Sequence, residues 1–410
     1  MNAIDVVIIG GGQAGLAMSR CLSWRGLDHV VLERGTVGQR WMDRPWEALT
    51  LLTPNWMNGL PGHPYGGDEP DGYMSRDQFL ASLTAYGAGA PVRERTTVLS
   101  VEQRCGFFLI TTDRGPWRAR AVVVATGECD IPVIPGLAQA IDPAIENVHA
   151  AAYRAPASLP DGGVLVVGAS SSGVQIADEL RRAGRDVTLA VGRHTRLPRM
   201  WRGEDVFRWL QRTGAMSRRT HTLPDIEAAR RQPSLQLAGR RDRSNVDLAT
   251  LQAIGVRLAG RVVAAEGGTV AFADDLVSSI AAAEAKQARL LGEFDAFAGI
   301  GADAPRPPIA RIDLSRPAPR RLALGDAGIR TIVWATGYRR AFSWLRLAAL
   351  TPAGDIAHRD GVTAFPGLYA LGFRLLRKRD SNFIGGVGAD AAALCDHIAG
   401  FLGQRGHRAA

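Results

Sequence analysis

The pattern of apolar and polar positions predicts a strand, a turn, a helix and a second strand within the first 34 residues. Asp5–Ile9 is a nearly continuous β-branched run, which is typical of a strand buried on both faces. Leu16–Trp24 has helical spacing and stops at Gly26, and His29–Leu32 returns to the strand pattern. The sequence therefore predicts a βαβ unit whose turn is Gly10–Gly15.

This pattern occurs a second time after a proline-rich crossing. Asp5–Gly35 aligns with Gly163–Arg193 without a gap, so that the first and last glycines of the two turns coincide. Repeated βαβ units predict the α/β fold class, with two Rossmann-like dinucleotide-binding domains.

Other local signals predict further elements. Ser75–Gln78 is a capping box that predicts a helix through about Tyr86. Strands are expected near residues 98–102, 107–112 and 121–125, and a helix is expected over Asp275–Phe297. The proline- and glycine-rich tract from Trp41 to Tyr73 predicts a long ordered loop of the kind that often carries function.

The first turn has the spacing Gly10-x-Gly12-x-x-Gly15 between a strand and a helix. In that context the first glycine permits a tight turn, the second lets the backbone approach a pyrophosphate, and the third allows close helix packing. The helix N-terminus attracts the phosphates. Glu33 ends the second strand, where a carboxylate accepts hydrogen bonds from ribose hydroxyls.

The second turn, Gly168–Gly173, differs in ways that change its predicted ligand. Ser170 replaces the middle glycine, Val191 stands where Glu33 stands in the first repeat, and Arg193 follows two residues later. A lost carboxylate and a gained arginine suit a 2′-phosphate, with His194 and Arg196 as further candidates. The alternative is that Arg193 is a solvated loop residue.

The acidic and the basic site predict two different dinucleotides. FAD in the first and NADPH in the second is the natural assignment, because a flavin accepts the hydride. We expect an FAD domain formed by residues 1–157 and 310–410. An NADPH domain, residues 158–309, is expected as an insertion that also carries a substrate-side segment.

Composition excludes several other classes. The net charge of +9 is almost entirely arginine spread along the whole chain, which indicates attraction for anionic cofactors and no nucleic-acid partner. The cysteines and histidines show neither CxxC nor metal-ligand spacing, so no metal is expected. No apolar run approaches the roughly 20 residues that cross a bilayer. We expect a cytoplasmic protein without a membrane partner; a homodimer is compatible with the sequence, but nothing in it establishes one.

Two more segments, Val122–Pro135 and Ile332–Arg340, carry Ala-Thr-Gly directly after a strand. With the two glycine turns and the end segment Ser381–Ala391, they resemble the class B flavoprotein monooxygenases over nearly the whole chain. The resemblance implies that the two Ala-Thr-Gly turns connect the flavin and nicotinamide domains. It also implies that the C-terminal segment closes over the flavin, with Gly372 near the FAD phosphates and Gly385–Asp390 opening a helix beside the ring.

The resemblance also implies a catalytic asparagine. Thr50–Asn55 is similar to the tract that carries an active-site Asn in N- and S-oxygenating members. Asn55 is therefore the candidate for holding the flavin–nicotinamide pair, and the alternative is a turn-capping Asn after Pro54.

His149 is the second catalytic candidate. His149 and Tyr153 match half of the family signature Phe-x-Gly-x-x-x-His-x-x-x-aromatic, but Pro143 and Ile145 occupy its first two positions. This departure disfavours Baeyer–Villiger chemistry, and it leaves His149 either a participant or a structural histidine.

The sequence thus yields one set of candidates. Trp41 is taken as a flavin-wall candidate, with core packing as the alternative for both Trp41 and Trp46. The cofactor-binding candidates are Gly10, Gly12, Gln13, Ala14, Gly15, Glu33, Arg34, Arg40, Trp41, Thr126, Gly127, Gly168, Ser170, Ser171, Ser172, Gly173, Arg193, Ala335, Thr336, Gly337, Gly372, Gly385 and Gly386.

The mechanistic hypothesis is a monooxygenase reaction. NADPH passes a hydride to flavin N5, the reduced flavin combines with O2 to a C4a-peroxide, and one oxygen atom goes to nitrogen, sulfur or carbon of a small organic substrate. Three alternatives stay open: a flavin disulfide reductase, which requires a dithiol; a flavin NADPH oxidase that releases peroxide; and a nucleotide-binding redox sensor without turnover.

Overall fold

Two mainly parallel sheets, each built around one of the two βαβ units, organise the molecule. The computed structural model describes residues 2–44, 46–301, 303–315 and 317–406, except the side chains of residues 405 and 406. Within these ranges the strands are β1 (Asn2–Ile9), β2 (His29–Leu32), β3 (Val92–Arg93), β4 (Val98–Arg104), β5 (Phe107–Thr112), β6 (Gly115–Val124), β7 (Ile131–Pro132), β8 (Glu146–His149), β9 (Gly163–Val167), β10 (Val187–Ala190), β11 (Thr195–Arg196), β12 (Met200–Trp201), β13 (Glu204–Asp205), β14 (Leu235–Gln236), β15 (Arg257–Ala259), β16 (Val262–Glu266), β17 (Thr269–Phe272), β18 (Arg321–Ala323), β19 (Ile329–Trp334), β20 (Tyr338–Arg339), β21 (His358–Arg359), β22 (Val362–Thr363) and β23 (Leu368–Ala370).

The helices cover the sheets and carry the loops between them. Those described are α1 (Gln13–Trp24), α2 (Gln39–Met42), α3 (Arg76–Gly87), α4 (Ser171–Arg182), α5 (Val206–Arg212), α6 (Ile226–Arg230), α7 (Leu248–Ala253), α8 (Leu276–Phe297) and α9 (Val387–Gly406), with 3₁₀ turns at Asn55–Met57, Gly136–Ala140, Pro156–Ser158 and Thr220–Thr222. No helix in the described part of the chain combines the length and the apolar character needed to span a membrane.

The first sheet has the strand order β21-β22-β23-β6-β1-β2-β3, with the β4–β5 hairpin attached to β6. β1 lies between β2 and β6 and is parallel to both. Its residues Val6–Ile9 are buried, as expected for a strand covered on both faces. α1 and α9 pack together over this sheet, so the first and the last helix share one hydrophobic core.

The second sheet repeats this arrangement in the order β15-β10-β9-β19-β8, and all its pairings are parallel. β9 lies between β10 and β19, as β1 lies between β2 and β6. Each sheet thus places a glycine turn beside the strand that leads into an Ala-Thr-Gly turn. The α/β fold with two Rossmann-like units, predicted from the repeat, is confirmed.

The domain boundaries differ from the expectation at 157 and 310. β8 and β19 pair within the second sheet, although both lie outside residues 158–309. The repeat in the sequence covers only the first βαβ unit of each domain, so it gives no sign of strands supplied by the flanking crossings. We propose as a correction that the inserted domain begins before Glu146 and ends after Trp334.

The predicted starts of α3 and α8 are confirmed. Gln78 donates its backbone N–H to Ser75 Oγ at 3.2 Å, and Ser75 N–H donates to Gln78 Oε1 at 2.8 Å, which completes the capping box of α3. α8 begins directly after Asp275, as its periodicity predicts.

Candidate functional site

In the first glycine turn, two glycines leave no room for a side chain and the third, Gly12, borders open space. A Cβ on Gly10 (φ +114°) would lie 2.5 Å from Ala125 O, and a Cβ on Gly15 would lie 1.9 Å from Gly10 O. No heavy atom lies within 4 Å of the corresponding position on Gly12. Gly12 also precedes α1 without a side-chain cap, so the N–H groups of the first turn of α1 (Gln13, Ala14) face space that suits a pyrophosphate.

Glu33 is fixed at the edge of this turn by main-chain donors. Its Oε2 accepts the N–H of Gly11 at 2.6 Å, and its Oε1 accepts the N–H of Gly35 at 2.9 Å. Both bonds are charge-assisted, and each carboxylate oxygen keeps further acceptor capacity. The carboxylate is therefore positioned, and still able, to accept ribose hydroxyls.

The second turn reproduces the first in its packing and not in its chemistry. A Cβ on Gly168 (φ +109°) would lie 2.5 Å from Ala335 O, and a Cβ on Gly173 would lie 1.8 Å from Gly168 O. α4 begins after Ser170, which makes no side-chain cap. Ser172 is exposed, and Ser171 Oγ lies 3.4 Å from Gln175 Nε2. Hydroxyl groups thus surround an open helix N-terminus.

The two Ala-Thr-Gly turns, Ala125–Gly127 and Ala335–Gly337, lie next to each other. The segments that follow them pair as β7 and β20, with Pro132 opposite Tyr338. Thr336 Oγ1 donates to Val133 O across this contact. Because each turn touches the first glycine of one nucleotide turn, this pairing brings the two nucleotide sites together.

Arg193 lies at the end of β10 where a 2′-phosphate contact is expected. The residue is exposed, and within the described part of the chain it has no hydrogen bond or ion pair. His194 and Arg196 do not join it. His194 is buried, its Nδ1 lies 3.0 Å from Gly192 O, and burial lowers its pKa. Arg196 is 1% exposed and donates to Asp247 Oδ2 at 2.7 Å, so its charge is already paired.

Arg34 and Arg40 are also paired within the protein. Arg34 Nη2 lies 3.0 Å from Asp130 Oδ1, and Arg40 Nη2 lies 2.7 Å from the same oxygen. Asp130 follows the first Ala-Thr-Gly turn. Both arginines therefore also hold the segment behind Thr126 and Gly127, and their role in cofactor binding stays a prediction.

The contacts of Trp41 and Trp46 favour a role in core packing. Trp41 packs edge-on against Phe79 with ring centroids 4.9 Å apart. Trp46 is buried, donates Nε1–H to Glu179 Oε2 at 2.6 Å and packs against Tyr153. The partly buried Trp41 packs against the core through this contact, and its role as a flavin wall stays a prediction.

Asn55 is buried with one end of its amide unsatisfied. The side chain is 4% exposed, Nδ2 donates to Glu69 O at 2.9 Å, and Oδ1 has no hydrogen-bond partner within the described residues. Leaving a buried polar atom unpaired costs free energy, so such an atom is typical of a group that awaits a ligand.

The C-terminal segment packs against both the Asn55 turn and α1. A Cβ on Gly385 would lie 2.1 Å from Met57 O, and one on Gly372 would lie 2.5 Å from Ala14 Cβ. A Cβ on Gly386 would lie 1.9 Å from Asp380 O. Close approach without side chains explains these glycines and brings the start of α9 beside Asn55.

Both ring nitrogens of His149 contact the backbone, which favours the structural alternative, while its catalytic role stays a prediction. Its Nδ1 accepts the N–H of Ala151 at 3.0 Å, and its Nε2 lies 3.0 Å from Gly337 O. Burial lowers its pKa, so the neutral ring is favoured. Both nitrogens are engaged by the backbone, and the ring supports the second Ala-Thr-Gly turn.

Two acidic residues at this junction were missed by the sequence reasoning. Glu128 Oε1 accepts Arg340 Nη1 at 2.9 Å and also the main-chain N–H of Arg374. Asp130 pairs with the arginines described above. Glu128 directly follows Ala-Thr-Gly and Asp130 comes two residues later; this position was the only available signal, because their partners are distant in sequence. Across the described residues no three acidic, His or Cys side chains converge in a way that could hold a metal ion.

Comparison with known proteins yields consistent matches. Residues 7–213 match the model of the pyridine nucleotide-disulphide oxidoreductase family. The uncharacterized CzcO-like oxidoreductase of Geobacillus kaustophilus is 30% identical over 402 residues, which cover 97% of this chain and 99% of that protein. Indole-3-pyruvate monooxygenase YUCCA1 of Oryza sativa is 34% identical over 191 residues, covering 45% and 47%. A variant of the flavin monooxygenase from Stenotrophomonas maltophilia has a similar fold, with a TM-score of 0.68, 22% identity, and coverage of 98% and 100%.

Proposed function

The chain belongs to the pyridine nucleotide-disulphide oxidoreductase family, and we propose that it uses FAD, NADPH and O2 to transfer one oxygen atom to a small organic substrate. The predicted resemblance to class B flavoprotein monooxygenases is confirmed, and with it an FAD-dependent monooxygenase with FAD and NADPH as cofactors. The path of the oxygen, the nature of the substrate and the cytoplasmic location are proposals from the sequence.

One observation carries the proposal. The same strand, glycine turn and helix occur twice. The first copy is followed by the carboxylate of Glu33, which main-chain N–H groups hold in place, and the second by the unpaired Arg193. The pairing of β7 with β20 brings the two copies together. An enzyme that transfers a hydride from one dinucleotide to another needs two different nucleotide sites next to each other.

The protein's own residues bind and orient the two cofactors. The N-termini of α1 and α4 receive the pyrophosphates, Glu33 receives the FAD ribose and Arg193 the 2′-phosphate of NADPH. Asn55 Oδ1 is free to accept a hydrogen bond at the flavin–nicotinamide junction. The C-terminal segment, packed on Met57 and Ala14, excludes water from that junction.

Bound FAD would supply the redox chemistry: it would take two electrons from NADPH and react with O2 so that one oxygen atom goes to the substrate and the other leaves as water. The proposed acceptor is a nucleophilic nitrogen, sulfur or carbon atom. This reaction needs no protein nucleophile. The protein contributes by positioning the cofactors and the substrate and by excluding water.

A disulfide reductase is disfavoured by the cysteines. Cys21 and Cys395 lie in the core contact of α1 and α9, where burial raises the pKa of each thiol. Cys105 is exposed on the β4–β5 hairpin turn, and Cys129 stands alone after the first Ala-Thr-Gly turn. Among the described residues no pair of thiols lies beside either nucleotide turn.

Stopped-flow mixing of NADPH-reduced holoenzyme with O2 tests the proposal. We expect the flavin to return to its oxidised spectrum through a species that persists for seconds when NADP⁺ is bound. Immediate return to oxidised flavin, with one peroxide released per NADPH, would identify an oxidase and overturn the proposal. Purified protein that stays colourless after incubation with FAD would overturn the flavin assignment itself.

A further inference from the structure

The chain segment that carries Asn55 is paired with the end of the same long loop. Leu51 donates its main-chain N–H to Met74 O at 2.9 Å. Asn55 donates its own main-chain N–H to Gly72 O, also at 2.9 Å. We call residues 50–56 the Asn55 tract. Its backbone is held on one side by these bonds within the loop.

On its other side, the Asn55 tract is contacted by Arg199 of the inserted domain. The Arg199 side chain is 0% exposed, and its Nη1 donates to Leu52 O at 2.8 Å. The guanidinium also lies over the ring of Tyr73, 4.4 Å from the ring centroid. Leu52 belongs to the Asn55 tract, and Tyr73 belongs to the segment paired with it. One buried side chain therefore holds both.

Asp205 fixes the orientation of this guanidinium. Its Oδ2 accepts Arg199 Nε and the hydroxyl of Tyr73, both at 2.8 Å. Its Oδ1 accepts the main-chain N–H of Phe207 at 2.8 Å, which caps α5. Because desolvation offsets much of the attraction within a buried ion pair, stability alone does not account for this one.

A second contact links the Asn55 tract to the second glycine turn. A Cβ on Gly239 of the inserted domain would lie 2.1 Å from Leu51 O, so only a glycine permits this close approach. Three residues earlier, Gln236 is 1% exposed, and its Nε2 donates to Ala169 O at 2.6 Å. Ala169 lies in the glycine turn that is proposed to receive NADPH. The tract thus packs against the same domain as that turn.

The inserted domain therefore helps to set the position of Asn55. Asn55 lies three residues beyond Leu52, and its Oδ1 is buried without a hydrogen-bond partner among the described residues. A displacement of about 1 Å near a reacting centre can slow a reaction on the order of 100-fold. Contacts that fix the backbone at Leu52 consequently bear on what Asn55 can do.

We propose that Arg199 is a positioning residue, which holds the Asn55 tract against the NADPH-binding domain and thereby places Asn55 Oδ1 at the flavin–nicotinamide junction. It acts through Leu52 and Tyr73 and not through contact with a cofactor. The role of Asn55 rests on the proposed function, whereas the hold of Arg199 on the tract is a property of the fold and is measured separately.

Hydrogen exchange of the FAD holoenzyme, followed by mass spectrometry, tests this hold without turnover. Arg199→Lys keeps a charge beside Asp205 but lacks the forked donor that also reaches Leu52 O. We expect the amides of residues 50–56 to exchange at least about tenfold faster than in the wild type. Unchanged exchange in this segment would overturn the proposal.

A second variant makes a smaller change in the same contact. Tyr73→Phe removes the hydroxyl bond to Asp205 and keeps the ring beside the guanidinium. It should accelerate exchange in residues 50–56 by a smaller factor than Arg199→Lys. It also decides the question should Arg199→Lys fold poorly, since exchange at the wild-type rate in Tyr73→Phe would count against the proposal.

Arg202→Lys is the matched control. Arg202 Nε lies 2.6 Å from Oδ1 of the buried Asp295, and its other hydrogen bonds in the described part of the chain stay within the inserted domain. This variant should therefore exchange residues 50–56 like the wild type. Equal acceleration by Arg202→Lys and Arg199→Lys would show a general loosening of the inserted domain and would overturn a specific role for Arg199.

Anaerobic stopped-flow reduction of the holoenzyme by NADPH tests the consequence for Asn55. Arg199→Lys should slow flavin reduction at saturating NADPH about tenfold or more. The Kd for NADP⁺ should change less than about twofold, because Arg193 and the second glycine turn are untouched. In the Asn55→Ala background, Arg199→Lys should add no further loss, since both substitutions act through one group. Additive losses, or a loss confined to NADP⁺ affinity, would overturn the proposal.

The proposed reaction and the role of Arg199 fail separately. If the wild-type flavin is reduced but no long-lived oxygen-reactive species forms, the monooxygenase reaction is overturned and the result for Arg199 stands. If Arg199→Lys matches the wild type in exchange and in reduction while the wild type transfers oxygen, the role of Arg199 is overturned and the reaction stands.

Discussion

Replacing Glu33 by Gln isolates the charge at the end of β2 while keeping the shape of the side chain. The carboxylate accepts two main-chain N–H groups, from Gly11 at 2.6 Å and from Gly35 at 2.9 Å. An amide can accept only one of them and turns an NH2 donor towards the other. Losing that main-chain bond destabilises the apoprotein, whereas FAD affinity falls because a ribose hydroxyl then meets a neutral amide in place of a charged acceptor, a difference of about 1.5–3 kcal/mol. We therefore expect the Kd for FAD to rise by at least about 10- to 100-fold.

The measurement is titration of apoprotein with FAD, followed by quenching of flavin fluorescence. Glu94→Gln is the matched control, because Glu94 Oε1 also accepts a main-chain N–H, that of Val37 at 2.8 Å, but is exposed and makes no hydrogen bond to residues 10–15 in the described structure. The reasoning is refuted if Glu33→Gln binds FAD within twofold of the wild type, or if Glu94→Gln weakens FAD equally.

Three further outcomes follow from the same geometry. Gly12→Ala places its methyl in open space, so it should weaken FAD binding without lowering the thermal midpoint of the apoprotein. Gly15→Ala would put its Cβ 1.9 Å from a backbone oxygen and should therefore lower that midpoint. Equal shifts of the midpoint in the two variants would contradict this. Arg193→Ala should reduce the NADPH over NADH preference in kcat/KM about 10-fold or more, and an unchanged preference would remove the proposed 2′-phosphate contact. Burial and nearby arginines lower the pKa of His358 from 6.5 to about 4. Between pH 6.5 and pH 4 the unfolded chain therefore binds a proton at this histidine that the folded protein does not bind, and the folded state loses stability. Urea unfolding at pH 7 and pH 5 should therefore show the wild type losing about 2 kcal/mol more stability than His358→Gln, and equal losses would refute the assignment.

Much of the fold could be predicted because its signals are local. A β-branched run predicts a buried strand, and glycines at fixed spacing predict a turn that opens a helix. The exact match of β2 with His29–Leu32, and the capping box at Ser75, follow from such short-range rules. The acid at position 33 and the arginine at position 193 were legible because the gapless repeat places Val191 opposite Glu33 and Arg193 opposite Gly35.

The contacts that the sequence could not show involve partners far away in sequence. Arg40 pairs with Asp130, 90 residues later, at 2.7 Å, and no local pattern indicates this ion pair. His149 was undecided because Gly337, to which its Nε2 is bonded, lies 188 residues further along. In the same way β19, which joins the second sheet, could not be assigned to that domain from its own pattern.

The sequence by itself determined the two glycine turns and the helices they open, and it predicted two unlike dinucleotide sites there, because local backbone conformation and helix N-termini require only a few adjacent residues. The tertiary structure decided which charged side chains form ion pairs within the protein and which remain unpaired. Arg196 is neutralised by Asp247, whereas Arg193 has no partner in the described part of the chain. That difference arises from packing between distant segments, since a charge is free or paired only through what the fold brings within a few ångströms of it.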